Sequence, residues 1–212
     1  MGTKEESAVR AINEALVQLR QDKGITLEEF KGETKTVLAT KCLAVYDSCR
    51  VSVLMERHWG FVVRTAGVSC RFDPVRAKWK GTVQSGVLEV KAVRGFHGTL
   101  ARGWELEADG TVVADERFKT LEIIADEKNI DRWPPLVRRA FIFALARDLA
   151  IPVTGRTKDL ETMNALYLGA LKQAAIHAAC ETRVGDSAWG NNDYADAIRG
   201  RGWHGRTCGG CR

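Results

Sequence analysis

The stretch that decides the fold runs from Trp133 to Arg183 and reads WPPLVRRAFIFALARDLAIPVTGRTKDLETMNALYLGALKQAAIHAACETR. Proline suits the first turn of a helix, because the N–H that it lacks has no partner there, so Pro134 and Pro135 indicate a helix start. Ile151 precedes Pro152, where the α conformation is disfavoured, and we expect the helix to end there. The residues between form a wide apolar stripe, typical of a mostly buried helix. The stripe consists of Leu136, Val137, Ala140, Phe141, Ala144, Leu145 and Leu149.

A second long helix and a glycine-rich segment complete this region. Thr154 and Gly155 form a short connection before a helix that begins at Lys158, and a connection of this length predicts two antiparallel neighbours. After Arg183 the periodicity is lost, and glycines recur in a segment with little aliphatic content. Such a segment cannot fold alone, so residues 185–212 are expected to be either idle or ordered by a partner.

The preceding half of the chain contains further helices and then strands. Ser7 is a candidate cap for a first amphipathic helix, which Gly24 stops. A longer helix is expected from about Glu33 to Glu56, followed by a strand at 61–64. From 72 to 125 the periodicity becomes alternating, as in half-buried strands. The main apolar side of the longer helix is predicted to consist of Leu38, Cys42, Val45, Cys49 and Val53.

Within the alternating region, the pair Asp109 and Gly110 is typical of a type I′ hairpin turn, since both central residues of that turn need positive φ. The order of elements predicts an α+β fold. It is a mainly α-helical bundle of about four helices, with an inserted small antiparallel β lobe and an extended C-terminal arm. The expected units are the N-terminal helices of the body (1–64), the β-rich lobe (65–130), the C-terminal helical hairpin of the same body (131–184) and the arm (185–212).

Composition limits the classes of function. The net charge of +5 arises from 32 basic and 27 acidic residues among 212, spread without a long single-sign block. A strong nucleic-acid footprint would be more basic and more clustered. No apolar run reaches membrane-spanning length, and the first residues lack the apolar core of a secretory signal. We therefore expect a soluble protein made in the cytoplasm, where its six cysteines stay reduced.

Motifs for metal binding and catalysis are weak. Cys208 and Cys211 have a zinc-knuckle spacing, with His204 upstream, but a structural zinc site needs a fourth ligand, which is missing here. Ser187 follows Gly-Asp, as some hydrolase nucleophiles do, without a predicted strand-to-helix elbow. The other histidines are scattered, and no His-Glu-x-x-His, Walker loop or Gly-x-Gly-x-x-Gly accompanies them. The sequence thus predicts no catalytic residue, no metal site and no cofactor, and the protein is expected not to be an enzyme.

The aromatic residues fall into two groups. Those at element boundaries or on alternating strands are expected to pack in the core or between subunits. Those on the arm, together with its arginines, are suitable anchors for a partner surface. The first group contains Trp59, Trp79, Trp104 and Trp133. The predicted partner-binding residues are Trp189, Tyr194, Ile198, Arg199, Arg201, Trp203 and Arg206.

A series of short packing motifs follows a characteristic order along residues 8 to 184. They are AVRAIN (8–13), HWGF (58–61), DG (109–110), LEIIA (121–125), WPPL (133–136), TG (154–155) and NALY (164–167). In this order they resemble the tail tubular protein A family, the head-to-tail adaptor (connector) proteins of short-tailed bacteriophages.

This resemblance implies a dodecameric ring beneath the portal protein, with the tail nozzle or the next tail protein bound below. It implies that genome DNA passes through the lumen without sequence-specific binding, and that the C-terminal segment grips the portal. The expected location is the head–tail junction of the virion, after assembly in the host cytoplasm and without a membrane.

Two alternatives stay open. One is a nucleic-acid-binding module, for which a steep fall of DNA affinity with salt would be evidence. Its basic residues are interrupted by aspartates, and they are Arg183, Arg199, Arg201, Arg206 and Arg212. The other is a small zinc-binding protein using His204, Cys208 and Cys211, for which retention of stoichiometric zinc would be evidence.

Overall fold

A computed structural model describes residues 3–96 and 98–182. Over these residues the chain has an α+β fold, as predicted: α-helices form a body, and antiparallel strands form a lobe. A short 3₁₀ turn, Ile130–Arg132, leads from the lobe back to the body. The helices are α1 (Lys4–Gln18), α2 (Leu27–Lys31), α3 (Val37–Glu56), α4 (Pro135–Thr154) and α5 (Thr157–Thr182).

The strands of the lobe all lie between α3 and α4 in the chain. They form a three-stranded sheet of order β1-β7-β4 and a four-stranded sheet of order β2-β3-β6-β5. The predicted strand at 61–64 begins two residues later than expected. The strands are β1 (Val63–Gly67), β2 (Arg71–Asp73), β3 (Lys78–Thr82), β4 (Val87–Gly95), β5 (Glu105–Leu106), β6 (Thr111–Ala114) and β7 (Phe118–Ala125).

Helix α1 begins at a capping box rather than at the predicted cap Ser7. The Thr3 N–H donates to the Glu6 carboxylate at 2.8 Å, and the Glu6 N–H donates to the Thr3 hydroxyl at 3.2 Å. Two orphan donors are satisfied reciprocally in this way, which favours the earlier start. Ser7 is instead buried inside the helix, where its hydroxyl accepts a hydrogen bond from the Ile130 N–H at 3.3 Å. The helix ends at Gln18, earlier than predicted.

Helix α4 is the centre of the body, since α1, α3 and α5 all pack against it. It begins at Pro135, as the Trp-Pro-Pro sequence predicts. Its buried residues lie on more than one side, as expected for a helix with neighbours all round. They are Val137, Ala140, Phe141, Ile142, Phe143, Ala144, Leu145, Ala146, Leu149 and Ala150.

The predicted end of this helix at Pro152 is wrong. The helix continues through Pro152 to Thr154 and ends at Gly155, whose φ of 66° is a left-handed cap conformation. Because Pro152 lies in the last turn, its missing N–H removes only one bond near the helix end. The Pro152 carbonyl, one of the helix's final four, accepts a hydrogen bond from the Lys41 ammonium at 2.6 Å.

Helices α4 and α5 form the predicted hairpin, joined by Gly155 and Arg156 alone. The Arg147 guanidinium of α4 lies 4.8 Å from the centre of the Tyr167 ring of α5. This contact places Arg147 and Tyr167 at about the same level of the antiparallel pair. Helix α5 begins at Thr157, one residue before the predicted start.

The hairpin turn between β5 and β6 is not the predicted type I′ turn. Gly110 has a φ of 80°, but Asp109 does not have positive φ. The Gly110 N–H donates to the Glu107 carbonyl at 3.0 Å, and the Glu107 N–H donates to the Thr111 carbonyl at 2.8 Å. This pattern is a three-residue loop: a type I turn followed by a left-handed glycine. The Asp109 carboxylate accepts the Thr111 N–H at 2.8 Å, which favours this turn over type I′.

The body and the lobe each have a hydrophobic cluster. Trp59 and Trp133 are buried in the body, as predicted, and their indole N–H groups donate to the carbonyls of Val53 (2.8 Å) and Glu127 (3.2 Å). The other two predicted packing residues of this kind are half-buried against the lobe cluster. They are Trp79 and Trp104.

Candidate interaction surfaces

The residues that the sequence predicts for partner binding, metal binding and nucleic-acid binding lie outside the described residues. The structure therefore neither brings them together nor separates them. They are Trp189, Tyr194, Ile198, Arg199, Arg201, Trp203 and Arg206, with Arg183, Ser187, His204, Cys208, Cys211 and Arg212.

A surface groove lies between α1 and α4. Its volume is about 720 Å³. The side chain of Val17 is 66% exposed there, while Ile142 and Phe143 are nearly buried and form the floor. Three arginines and one carboxylate, Glu14, line the edges, so the groove combines an apolar floor with walls of net positive charge. We define this α1–α4 groove by Arg10, Val17, Arg138, Arg139, Ile142 and Phe143.

The arginines of the groove differ in their partners. Arg10 and Arg138 both pair with Asp131, and an Arg138 guanidinium nitrogen lies 3.7 Å from an Asp131 carboxylate oxygen. Arg138 also pairs with Glu14. Arg139 is exposed, and its guanidinium lies 5.6 Å from the centre of the Phe143 ring. Among the described residues no carboxylate pairs with Arg139. This guanidinium is therefore available to an acidic group of a ligand.

Sequence reasoning missed this groove. Its two walls come from helices more than a hundred residues apart in the chain, so no local motif contains both. The one available signal is Val17, which is apolar but lies outside the regularly spaced apolar positions of the predicted first helix, Val9, Ile12, Leu16 and Leu19.

Helix α3 presents small and apolar residues to solvent on the side that faces away from α4. They recur three, four or seven residues apart and so share one face. Val37 is 74% exposed and Met55 is 42% exposed. We define the α3 outer face by Val37, Ala44, Ser48, Val51 and Met55.

Helix α5 has a comparable face. Leu168 is 55% exposed and Ile176 is 46% exposed, and small residues lie between and beside them. A Cβ atom built on Gly169 would meet no atom within 4 Å, so the surface is open at that point. We define the α5 outer face by Ala165, Leu168, Gly169, Lys172 and Ile176.

The lobe carries an aromatic stack at its rim. The ring centres of Phe72 and Trp79 are 5.3 Å apart. The Arg117 guanidinium lies 5.3 Å from the Trp79 ring centre and 4.6 Å from that of Phe96. Phe72 and Phe96 are 47% and 52% exposed. A cation held between aromatic rings gives this rim a rigid, partly apolar surface.

Titratable groups of the body are held in their neutral forms by burial. Burial raises the pKa of the Cys42 thiol to about 11 and that of the Tyr167 hydroxyl to about 12. It also raises the pKa of the Cys49 thiol. Buried thiols of this kind are inert, because the thiolate is the reactive form. These groups therefore have a structural role.

No protein-family model matches the chain, and no curated protein matches it. Over residues 3–96 and 98–182, no cluster of three or more His, Cys, Asp or Glu side chains is arranged to hold a metal ion. In the same ranges, no helix combines the length and apolar character that crossing a membrane requires.

Proposed function

We propose that the chain is a structural head-to-tail adaptor of a bacteriophage virion. In this proposal it forms a ring under the portal protein, links the capsid to the tail and lets DNA pass through the lumen. The motif order that resembles the tail tubular protein A family supports the proposal. The structural observation that carries it is the presence of two different exposed faces on the helical body, the α3 and α5 outer faces.

A closed ring of identical subunits needs two different contact surfaces on each subunit, because the contact is head to tail. The α3 and α5 outer faces belong to separate helices that each pack on α4. Both combine exposed large apolar side chains with small residues, and small residues let two helices approach closely. Burial of the apolar side chains would favour the contact, against the cost in entropy of bringing two subunits together.

The remaining surfaces suit contacts along the axis of such a ring. The aromatic stack of Phe72, Trp79, Arg117 and Phe96 lies on the lobe, and in the proposal it faces the next tail protein. The arm, residues 185–212, binds the portal. Many weak arms around a ring act together, because each later arm binds at a high effective concentration.

The proposal is tested by negative-stain electron microscopy of the full chain mixed with candidate portal rings. We expect ring-shaped additions on one end of the matching portal. Leu168→Asp should prevent them, because it places a charge in the ring contact. Leu166→Asp is the matched control, since Leu166 is 41% exposed on α5 but lies outside the α5 outer face.

The second part of the test is the deletion of residues 186–212. The truncated chain should keep its helical circular dichroism signal and lose attachment to the portal. Failure of the full chain to add to any portal, or equal effects of the two leucine variants, would contradict the proposal. DNA binding by the full chain that falls steeply with salt would instead favour a nucleic-acid-binding module.

A further inference from the structure

Beyond the described residues lies an acidic and aromatic segment with no basic residue. Residues 185–198 read GDSAWGNNDYADAI. Their charged side chains are Asp186, Asp193 and Asp196, and their large apolar side chains are Trp189, Tyr194 and Ile198. A surface that binds this segment must therefore offer apolar area together with positive charge.

The α1–α4 groove offers both. Val17, Ile142 and Phe143 provide the apolar floor. Arg139 provides an exposed guanidinium that no carboxylate of the described residues neutralises. The other defined surfaces differ: the α3 outer face contains no cation, the α5 outer face contains Lys172 alone, and the lobe rim already holds Arg117 between its own rings. Charge complementarity thus selects the groove.

The chain path brings the segment to the correct end of the body. Arg147 of α4 is level with Tyr167 of α5. Since the two helices are antiparallel, Arg139 is level with Ala175, and α5 ends about two turns further on. The segment therefore starts near the end of α4 that forms the groove. An extended chain spans about 3.3 Å per residue, so the segment reaches the groove without strain.

We infer that the α1–α4 groove binds residues 185–198 of the same chain. Trp189 and Tyr194 pack on the floor formed by Val17, Ile142 and Phe143, and an aspartate of the segment pairs with Arg139. This inference goes beyond the proposed adaptor function, since it concerns the chain before any partner is bound.

Photo-crosslinking of the full chain tests the inference. Trp189 is replaced by the photoreactive residue p-benzoylphenylalanine, the sample is irradiated at low micromolar concentration, and mass spectrometry locates the crosslinked residues. We expect crosslinks within one chain to α1 and to the first half of α4. Val17→Asp and Arg139→Glu should each reduce their yield by about tenfold, because each introduces an acidic group facing the segment's carboxylates.

The controls use the same chemical changes elsewhere on the body. Leu166→Asp and Lys172→Glu change exposed residues of α5 that do not line the groove, and crosslinking should be unchanged in both. Circular dichroism establishes that every variant is folded. Raising the salt concentration should lower the crosslink yield in the parent chain, and the decrease should be much smaller in Arg139→Glu.

Three outcomes would overturn the inference. They are crosslinks distributed over the whole body, groove variants that behave like the α5 controls, and crosslinks between chains. The last is recognised by mixing isotopically light and heavy chains, since contacts between copies give mixed products. Attachment to portal rings is measured separately, so failure of this inference leaves the adaptor proposal standing, and failure of the adaptor proposal leaves this inference standing.

Discussion

Arg50 of α3 donates a hydrogen bond to Asp126, the residue that follows β7, and this ion pair joins the helical body to the lobe. The two side chains are only 4% and 14% exposed. Arg50 also bonds the Asp47 carboxylate at 3.3 Å. A buried ion pair of this kind contributes little to net stability. Removal of one partner nevertheless lowers the free energy of unfolding strongly, because the other charge stays buried without a partner.

Arg50→Ala should therefore lower the free energy of unfolding by about 3 kcal/mol. Arg64→Ala is the matched control, because Arg64 pairs with Glu127 but is 56% exposed. Its effect should stay below about 1 kcal/mol. Urea unfolding followed by circular dichroism measures both. Similar losses in the two variants would show that the Arg50–Asp126 pair is not a buried contact between body and lobe.

Tyr46→Phe should leave stability unchanged or raise it by up to about 1 kcal/mol. The Tyr46 ring meets Phe30 and Phe141 edge-on, both at 5.9 Å, and Phe keeps these contacts. The hydroxyl that is removed is buried and has no hydrogen-bond partner among the described residues.

Tyr167→Phe is the control for Tyr46→Phe. The Tyr167 hydroxyl, unlike that of Tyr46, is not a buried polar atom without a partner, so its removal should bring no gain in stability. Thermal unfolding of the two variants compares them directly. A clear loss in Tyr46→Phe would mean that its hydroxyl has a partner in solution.

Gly110→Ala should strain the β5–β6 turn and cost about 1–2 kcal/mol, because an alanine at φ 80° is in the left-handed region. A Cβ atom there would meet nothing within 4 Å, so the loss is conformational and not a clash. Gly67→Ala, in the same lobe and equally open but without positive φ, should be nearly neutral. Calorimetry of both variants gives the difference; equal melting temperatures would contradict the turn assignment.

Pro152→Ala should stabilise the chain by about 1 kcal/mol, since alanine restores the N–H that the last turn of α4 lacks. The side chain of Pro152 is exposed, so the change leaves no cavity. Pro135→Ala is the control: at the first position of the same helix proline suits the backbone and removes no bond, so no gain is expected. Chemical unfolding should thus show a gain in stability for Pro152→Ala and none for Pro135→Ala.

Stability should fall at alkaline pH, partly because of Cys42. Burial raises the pKa of its thiol from an ordinary value of 9.0 to about 11 in the folded chain. The unfolded chain therefore ionises first, so the contribution of the neutral thiol is complete below about pH 9 and is lost as the pH rises through about 11. Cys42→Ala should show a shallower decline in unfolding midpoint between these values; parallel curves for the two chains would exclude this contribution.

The features that the sequence predicts well are those set by a few neighbouring residues. Pro134 and Pro135 begin α4 as predicted, because the missing N–H of proline has no helical partner in the first turn. The hairpin follows from the short connection. The prediction at Ser7 is wrong because the capping box of Thr3 and Glu6 starts α1 earlier. The prediction at Pro152 is wrong because the last turn of a helix tolerates a proline.

Packing between distant segments was less predictable. The predicted apolar side of α3 included Leu38 and Val45, which are half-buried, and omitted Tyr46 and Arg50, which are buried. Arg50 is inside because Asp126 neutralises it, and periodicity alone cannot indicate such a pairing. The α1–α4 groove was missed for a similar reason, since its shape depends on how two remote helices cross.

The insertion of the lobe between α3 and α4 has a consequence for biosynthesis. The partners β1 and β7 have both been translated once Ala125 is added, whereas α4 starts only at Pro135. A growing polypeptide emerges from its N-terminus, so every strand of the lobe leaves the ribosome before the helix that α1 and α3 require. The sheets can thus pair while translation continues, and the two early helices acquire their central neighbour last.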